Sequence, residues 1–304
     1  MADFELEVTE EDAGHRLDVL LARRVPNLSR ARAKALVEDG VARVDGRAVK
    51  KSHVVELGDR VVVDSLPGPS DFYAAPDPEL SLVVLRETAD YVIVDKPAGI
   101  ACHPLHESEV GTLAGVLVSR YPEMREVGYS KREPGLLHRL DTDTSGVVLA
   151  ARNKGAFERL RDELRAGNIK KRYLARCVGD VAAPQAVDTP IGGDPRDRRR
   201  VRVCTDPREI KRLGAQAATT EIIGSTSAPR GSLVELRANH ARRHQIRAHL
   251  ASIGHPLLGD VLYGGPELEE PKHHLLHALS IEVEGVETSS NGWKYLDSEV
   301  KVLD

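Results

Sequence analysis

Five consecutive apolar residues, Val147-Val148-Leu149-Ala150-Ala151, follow Gly146 and end at Arg152-Asn153. The length and β-branched content of this run are those of a strand covered on both faces. A polar knot stands at its entrance: His138, Arg139, Asp141, Thr142, Asp143, Thr144 and Ser145. These side chains cannot all be buried there unpaired, because each unsatisfied polar group costs roughly 1 to 3 kcal/mol. Either they pair with one another or they face a ligand. A turn in which Asp141 or Asp143 satisfies backbone donors is the purely structural alternative.

At 304 residues the chain has room for one large domain, or a large one with a small companion. Cys102, Cys177 and Cys204 are far apart and unpaired in spacing, which argues against a disulfide framework and against a zinc ribbon. A reducing cytoplasm is expected. The first residues lack the basic start and apolar centre of a signal peptide, and no stretch approaches the ~18 apolar residues of a spanning helix. No membrane partner is expected.

The formal net charge of −4 argues against a polyanionic partner until it is resolved along the chain. Residues 152–247 hold 22 Lys and Arg against 11 Asp and Glu, a local net charge of +11. A basic segment in an otherwise acidic chain suggests one polyanion-binding face. Glu158, Arg159, Arg161, Asp162, Glu163 and Arg165 read instead as a solvated helix face. Lys170-Lys171-Arg172 and Arg198-Arg199-Arg200-Val201-Arg202 fit that plainer account less well.

Residues 1–66 read as a compact module. Leu17, Leu20 and Leu21 recur at helical spacing, and Pro26-Asn27 interrupts them. Ser29 then offers an N-cap for a second helix through Leu36 and Val37, closed by Gly40. Strands are expected at residues 41–44, 47–49 and 61–63, with Asp45-Gly46 as a hairpin turn. The order Arg-Leu-Asp, Leu-Ser-Arg, Glu-Asp-Gly-Val, Val-Asp-Gly and Leu-Gly-Asp across residues 16–59 resembles the RNA-binding module of ribosomal protein S-four. That resemblance implies RNA phosphate contacts through Arg30, Arg32 and Lys34.

Prolines at 67, 69, 76 and 78 mark residues 67–79 as a linker. A second domain is expected over residues 80–285, opening with strands at 82–85 and 91–94, and an acidic tail over 286–304. Strand and helix patterns mix there without regular βαβ alternation. The expected class is α+β, a large mixed and mainly antiparallel sheet beside the small N-terminal α/β module.

Four separated stretches of the second domain resemble the RluA-type pseudouridine synthases. They are residues 94–104, residues 137–150, Lys171-Arg172-Tyr173-Leu174-Ala175, and His244-Gln245-Ile246-Arg247-Ala248-His249-Leu250 continuing through Gly254 to Asp260. Pro190-Ile191-Gly192, Arg196-Asp197-Arg198 and Leu276-His277-Ala278 fit the same pattern. The resemblance implies isomerisation of uridine in RNA, with the base detached from its nitrogen link to ribose and reattached through carbon. Large-subunit ribosomal RNA is the implied substrate, because family members carrying such an N-terminal module typically act there. A monomer is expected.

By the same resemblance Asp141 is the catalytic carboxylate, Arg247 its pairing cation, and Tyr173 the active-site ring that stacks on the target base. A carboxylate acting as an anion in a closed pocket needs such a cation to offset desolvation. A uracil in folded RNA must be extruded, and Arg139 is assigned to the RNA stack. Lys171, Arg172, Arg242 and Arg243 are candidate RNA contacts, while His138 and His244 are expected to brace the site. The sequence departs from the family at His240-Ala241-Arg242-Arg243, where Thr-Gly-Arg-Thr or Thr-Gly-Arg-Lys is common. Loss of the glycine puts the usual backbone turn at 241 in doubt.

The implied reaction neither oxidises nor transfers a group to an acceptor, so no cofactor and no metal are expected. His240, His244 and His249, or His273, His274 and His277, lie at spacings that could ligate zinc, yet neither set has a His-Glu-x-x-His pattern. Asp141 and Asp143 could form a glycosidase pair, but the chain has Trp293 as its single tryptophan and few aromatic platforms for sugars. A non-catalytic RNA-binding or ribosome-assembly protein is the other alternative, and Asp141 discriminates, since binding alone does not require it. His15-Arg16-Leu17-Asp18 repeats the letters of residues 138–141 without the following knot or strand, so Asp18 is assigned to the first helix.

Overall fold

The computed structural model describes residues 4–25, 28, 30–64, 66, 72–239, 241–291, 296, 301 and 302. Ser29, His240 and Trp293 lie outside the described residues, as do 67–71 of the expected linker. Two compact units result, Met1–Asp71 and Phe72–Asp304.

In the first unit, β1 (Phe4–Glu7), α1 (Leu17–Arg24), α2 (Arg30–Glu38), β2 (Ala42–Val44), β3 (Arg47–Ala48) and β4 (Arg60–Val63) form a helix pair with a four-stranded antiparallel sheet, ordered β1-β4-β2-β3. Leu17, Leu20 and Leu21 of α1 bury against Leu36 and Val37 of α2 and Val61 and Val63 of β4. The β2–β3 turn has positive φ at both Asp45 (49°) and Gly46 (75°), the backbone a two-residue hairpin needs and a reason for this residue pair. Asp18 is buried in the first turn of α1 and accepts from Arg16 Nε at 2.9 Å, so it is a structural residue. Strand β1 lies outside the elements expected from the sequence, although Phe4 and Leu6 alternate with Glu5 and Glu7 at period two and pack on this core.

The second unit continues with β5 (Val83–Glu87), β6 (Tyr91–Lys96), α3 (Leu113–Arg120), β7 (Ser145–Ala151), α4 (Lys154–Ala166), β8 (Lys170–Val178), β9 (Gln185–Asp188), β10 (Ile191–Gly193) and β11 (Val201–Val203). After these come α5 (Pro207–Leu213), β12 (Thr219–Ala228), β13 (Gly231–Arg237), α6 (Gln245–Ser252), β14 (Leu268–Glu270), β15 (Leu276–Val283), β16 (Val286–Ser289) and β17 (Lys301–Val302). Nine strands make one sheet in the order β5-β6-β7-β15-β8-β13-β12-β9, with β16 also on β15. All its pairings are antiparallel except β7 with β15, which is parallel. The fold is therefore α+β with a mixed, mainly antiparallel sheet.

The apolar run is the inside of this sheet. Every residue of β7 is buried. Val147, Leu149 and Ala151 face Phe157 and Leu160 of α4, while Val148 and Ala150 face Leu113 and Leu117 of α3, as the period of two requires. Asn153 ends the run by capping α4, its side chain accepting from Ala156 N at 2.8 Å. The charged residues 158–165 follow on α4, whose buried side is Ala156, Phe157 and Leu160.

Two segments are more integrated than their composition suggests. Ala74 is buried against Ala114 and Val118, and Asp77 Oδ2 accepts from Gly111 N at 2.8 Å, so residues 72–79 pack on the second unit rather than hanging free. Residues 286–289 extend the sheet as β16, and Leu296 is buried beside Leu258 and Leu275. Proline and acidic content mark exposure on one side; they do not decide whether the other side is paired.

The parallel junction is two residue pairs long, His277 with Ser145 and Ala278 with Gly146. At Gly146 φ is 109°, and a Cβ there would lie 2.2 Å from the Ala278 carbonyl oxygen. Only glycine fits. Gly146→Ala is expected to destabilise the second unit by more than the roughly 2 to 5 kcal/mol of a core Leu149→Ala truncation. Gly155→Ala, in the first turn of α4 with nothing closer than 3.6 Å, should be neutral or stabilising by up to about 1 kcal/mol. Urea unfolding of the three variants checks the order.

Candidate active site

The polar knot lies directly before the parallel junction, and its backbone turn and most of its side chains have partners that fix them. Lys96, at the end of β6, is fully buried and donates to the carbonyls of Pro97 (2.8 Å), Ile100 (2.7 Å) and Thr142 (2.9 Å). Burial pulls its pKa down to about 8, against the opposing influence of Cys102, Asp143 and Asp141. Gly99 N also donates to Thr142 O at 3.0 Å, so the turn carrying Asp141 is stapled from two sides.

Beneath that turn lie three histidines. Thr144 Oγ1 is 2.9 Å from His274 Nε2, Ser145 Oγ is 2.8 Å from His277 Nδ1, and His138 Nε2 accepts from Leu149 N at 3.1 Å. Burial lowers their pKa values to about 3 for His138 and His274 and about 4 for His277. These are neutral imidazoles working as hydrogen-bonding struts. His249 is spoken for in the same way, by Thr220 Oγ1 and Thr189 O, both at 2.9 Å. Among the described residues no three His, Cys, Asp or Glu side chains are placed to hold a metal ion.

Asp141 meets Arg247, which is carried by the first turn of α6. Arg247 Nη1 donates to Asp141 Oδ2 at 3.0 Å, while Nε and Nη2 grip both oxygens of buried Asp260 at 2.7 and 2.8 Å. One guanidinium thus joins two carboxylates 119 positions apart in sequence. Burial works against its charge, yet Asp260 and Asp141 outweigh that and raise its pKa above the ordinary arginine value. The turn that delivers Asp260 also delivers Tyr263, whose ring centroid is 5.1 Å from the guanidinium. Sequence reasoning missed Lys96, Asp260 and Tyr263. Asp260 closes a stretch already noted for family resemblance, but nothing local says that its partner is Arg247.

A cleft of about 1440 Å³ opens over Asp141. Tyr173 and Lys171, from alternate positions of β8, line it; both are almost wholly buried. Burial raises the Tyr173 phenol well above its ordinary pKa, and the Asp141 charge adds to this, so the hydroxyl keeps its proton. Burial lowers Lys171 to about 8. Arg172, the residue between them, points by strand alternation to the opposite face, where Nε bonds Glu235 at 2.6 Å and Nη1 bonds Glu287 at 3.2 Å. It is not part of the cleft.

Arg139 stands at the mouth, more than half exposed, with Nη1 on Glu133 Oε1 at 2.6 Å. Arg242 and Arg243 line the other side. Arg243 Nη2 donates to the carbonyls of Arg198 and Arg200, both at 3.0 Å, and so anchors the arginine-rich loop between β10 and β11. Ala241 does not take positive φ; His244 does, at 54°. The missing glycine is accommodated because the left-handed residue falls three positions later. In the first unit Arg30 is exposed and 3.6 Å from Asp18, and Lys34 is 3.8 Å from Glu38. Arg32 is half-buried on the same helix.

A carboxylate paired with a guanidinium, beside a protonated tyrosine in a basic-rimmed cleft, is a site suited to acting on an anionic polymer. Residues 90–252 match the family described as RNA pseudouridylate synthase, and residues 15–61 match the S4 domain. An uncharacterized RNA pseudouridine synthase of Aquifex aeolicus is 34% identical over 276 residues, 90% of this chain and 83% of its own length. Ribosomal large subunit pseudouridine synthase D of Xanthomonas campestris is 33% identical over 288 residues, again covering 90% and 83%. The solved structure of Human RNA Pseudouridylate Synthase Domain Containing 1 shares the fold, with a TM-score of 0.55, 22% identity, and coverage of 75% of this chain and 93% of that one. The chain belongs to the RNA pseudouridylate synthase family. It is an RNA pseudouridine synthase, an intramolecular isomerase, and its S4 domain implies RNA binding.

The neutral histidines make stability depend on pH. Their folded-state pKa values of about 3 to 4 lie below the ordinary 6.5, so between those limits the unfolded chain binds more protons. Stability contributed by each is complete above pH 6.5 and is lost as pH falls, by roughly 1 kcal/mol per group and pH unit. Scanning calorimetry should show the unfolding midpoint dropping from pH 7 to pH 5, above the range where most carboxylates titrate. A flat midpoint across that interval contradicts the strut assignment.

Proposed function

We propose that this enzyme isomerises specific uridines of large-subunit ribosomal RNA and that Asp141 is the carboxylate that acts on the uridine. The observation that carries this reading is the Arg247 bridge, which pairs Asp141 at 3.0 Å with a cation anchored on buried Asp260. A carboxylate used only to cap a turn needs no such partner. In the reaction the bond between ribose C1′ and the base nitrogen breaks, a bond from C1′ to ring carbon forms, and that carbon's proton is replaced by one on nitrogen. Nothing is gained or lost overall, so no cofactor is called for.

Each neighbour has a part. Tyr173 supplies a ring for the uracil to stack on and a hydroxyl that stays protonated. Arg139, extending from the rim, fills the gap left in the RNA stack once the base is extruded. Lys171, Arg242 and Arg243 contribute positive charge along the cleft, and Arg30, Arg32 and Lys34 of the S4 domain meet RNA phosphates. The cleft exceeds the ~300 to 1,000 Å³ of an ordinary small-molecule pocket, in keeping with an extruded nucleotide and its flanking backbone. Ribosomal large subunit specificity is supported by the Xanthomonas campestris relative's name and by the S4 domain here. Three buried free cysteines suit a reducing cytoplasm, and among the described residues no helix is long and apolar enough to cross a membrane.

Two measurements test the assignment. Large-subunit ribosomal RNA lacking its modifications, incubated with wild type, should acquire pseudouridine at discrete sites, and Asp141→Ala should yield none. Asp141→Ala should keep salt-sensitive RNA affinity, because the phosphate contacts lie elsewhere; joint loss of binding and turnover makes Asp141 structural. Tyr173→Phe should bind RNA normally and lose turnover by about 100-fold, as expected when a proton-handling hydroxyl is removed. Full activity in that variant excludes a required role for the hydroxyl.

A further inference from the structure

The arginine-rich loop between β10 and β11 is wired to Asp141 through one phenol. Val201, where β11 begins, donates its backbone N–H to the Tyr263 hydroxyl at 2.9 Å. The same hydroxyl lies 3.0 Å from His244 Nδ1, and His244 Nε2 lies 3.8 Å from Asp141 Oδ2. Tyr263 is buried, and its oxygen already accepts the Val201 amide. Its single proton therefore goes to His244 Nδ1, because the opposite arrangement strands a buried phenolic proton. An imidazole that accepts at Nδ1 carries its proton on Nε2, the nitrogen facing Asp141.

The backbone agrees with this aim. His244 adopts φ of 54°, a conformation that disfavours a side chain bearing Cβ, at the residue just before α6. Its ring meets the edge of Tyr263 at 81° with centroids 5.8 Å apart. Among the described residues, Tyr263, Asp141, Arg247, Arg243, Asp260 and His274 are the charged and titratable groups around it.

We propose that Tyr263 is a positioning residue for the isomerisation: its hydroxyl, set by the Val201 amide, holds His244 in the Nε2–H tautomer, so that an N–H rather than a lone pair faces Asp141 beside Arg247. Arg247 Nη1 bonds Oδ2 at 3.0 Å and His244 Nε2 faces the same oxygen from 3.8 Å, an electrostatic contact longer than a hydrogen bond, which leaves Oδ1 as the oxygen presented to the uridine. Arg243, by fixing the loop through Arg198 O and Arg200 O, keeps the Val201 amide in place. Docking of RNA phosphates on that loop is thereby linked to the orientation of the reacting carboxylate. The inference rests on the reading of Asp141 as that carboxylate.

The test has a readout independent of turnover. Histidine-labelled protein, with His244 assigned by comparison with His244→Gln, is examined by long-range proton–nitrogen NMR. His244 is expected as the Nε2–H tautomer in wild type and as a mixture or the reverse in Tyr263→Phe. With unmodified large-subunit ribosomal RNA, Tyr263→Phe should lower kcat by about tenfold, the effect of losing the hydrogen bond that orients His244 toward the reacting carboxylate, with KM changed less than about twofold. An Nδ1–H tautomer in wild type, or wild-type kcat in Tyr263→Phe, overturns the proposal. Turnover surviving in Asp141→Ala instead removes the reading beneath it, whatever the tautomer. If Tyr263→Phe does not fold, the wild-type spectrum alone decides.

Discussion

One guanidinium shared by two carboxylates is the interaction around which the second unit is arranged. Arg247 has a planar fork with more donors than Asp141 alone can use. Its Nε and Nη2 side is filled by Asp260, which leaves Nη1 aimed at Asp141. Removing Asp260 would leave a buried charge with half its partners, and breaking a buried pair in this way typically costs about 3 to 5 kcal/mol. The pair is thus better read as a device for aiming a cation than as a source of stability.

Aiming requires that both ends be rigid. Asp141 is rigid because its turn is tied to Lys96 and Gly99 above and to Thr144 and Ser145 below, where His274 and His277 stand. Those histidines are buried and neutral, so they bring hydrogen bonds without adding charge beside the carboxylate. Arg247 is rigid because α6 starts at a left-handed His244 and Gln245 is bonded to both Thr219 O and Thr220 Oγ1. The short parallel junction of β7 and β15 lets the two halves of the sheet meet there, and Gly146 makes the close approach possible.

Much of this was legible in the chain. The apolar run 147–151 read directly as an interior strand because burial on both faces leaves no polar alternation. The Asp-Gly turn at 45–46 was equally plain, since few residue pairs tolerate two positive φ values. Arg172 was misplaced beside Lys171 and Tyr173 because charge was read as a block, whereas strand alternation sends it to Glu235 and Glu287. Arg243 read as a phosphate contact, and the fold also gives it two carbonyls of the arginine-rich loop. The residues after 286 read as a tail because composition cannot report an edge strand whose partner, β15, is set by register.

By itself the sequence determined the two helices of the first unit, the buried strand, the polar knot before it and, through motif order, the family. These follow from local periodicity and residue chemistry. Only the tertiary structure decided that Asp260 holds Arg247, that Lys96 staples the Asp141 turn, and that Tyr263 stands between an arginine-rich loop and His244. Each of those contacts joins groups whose closeness depends on sheet order and helix placement. Distance in space between residues remote in sequence is set by packing, and no local pattern carries it.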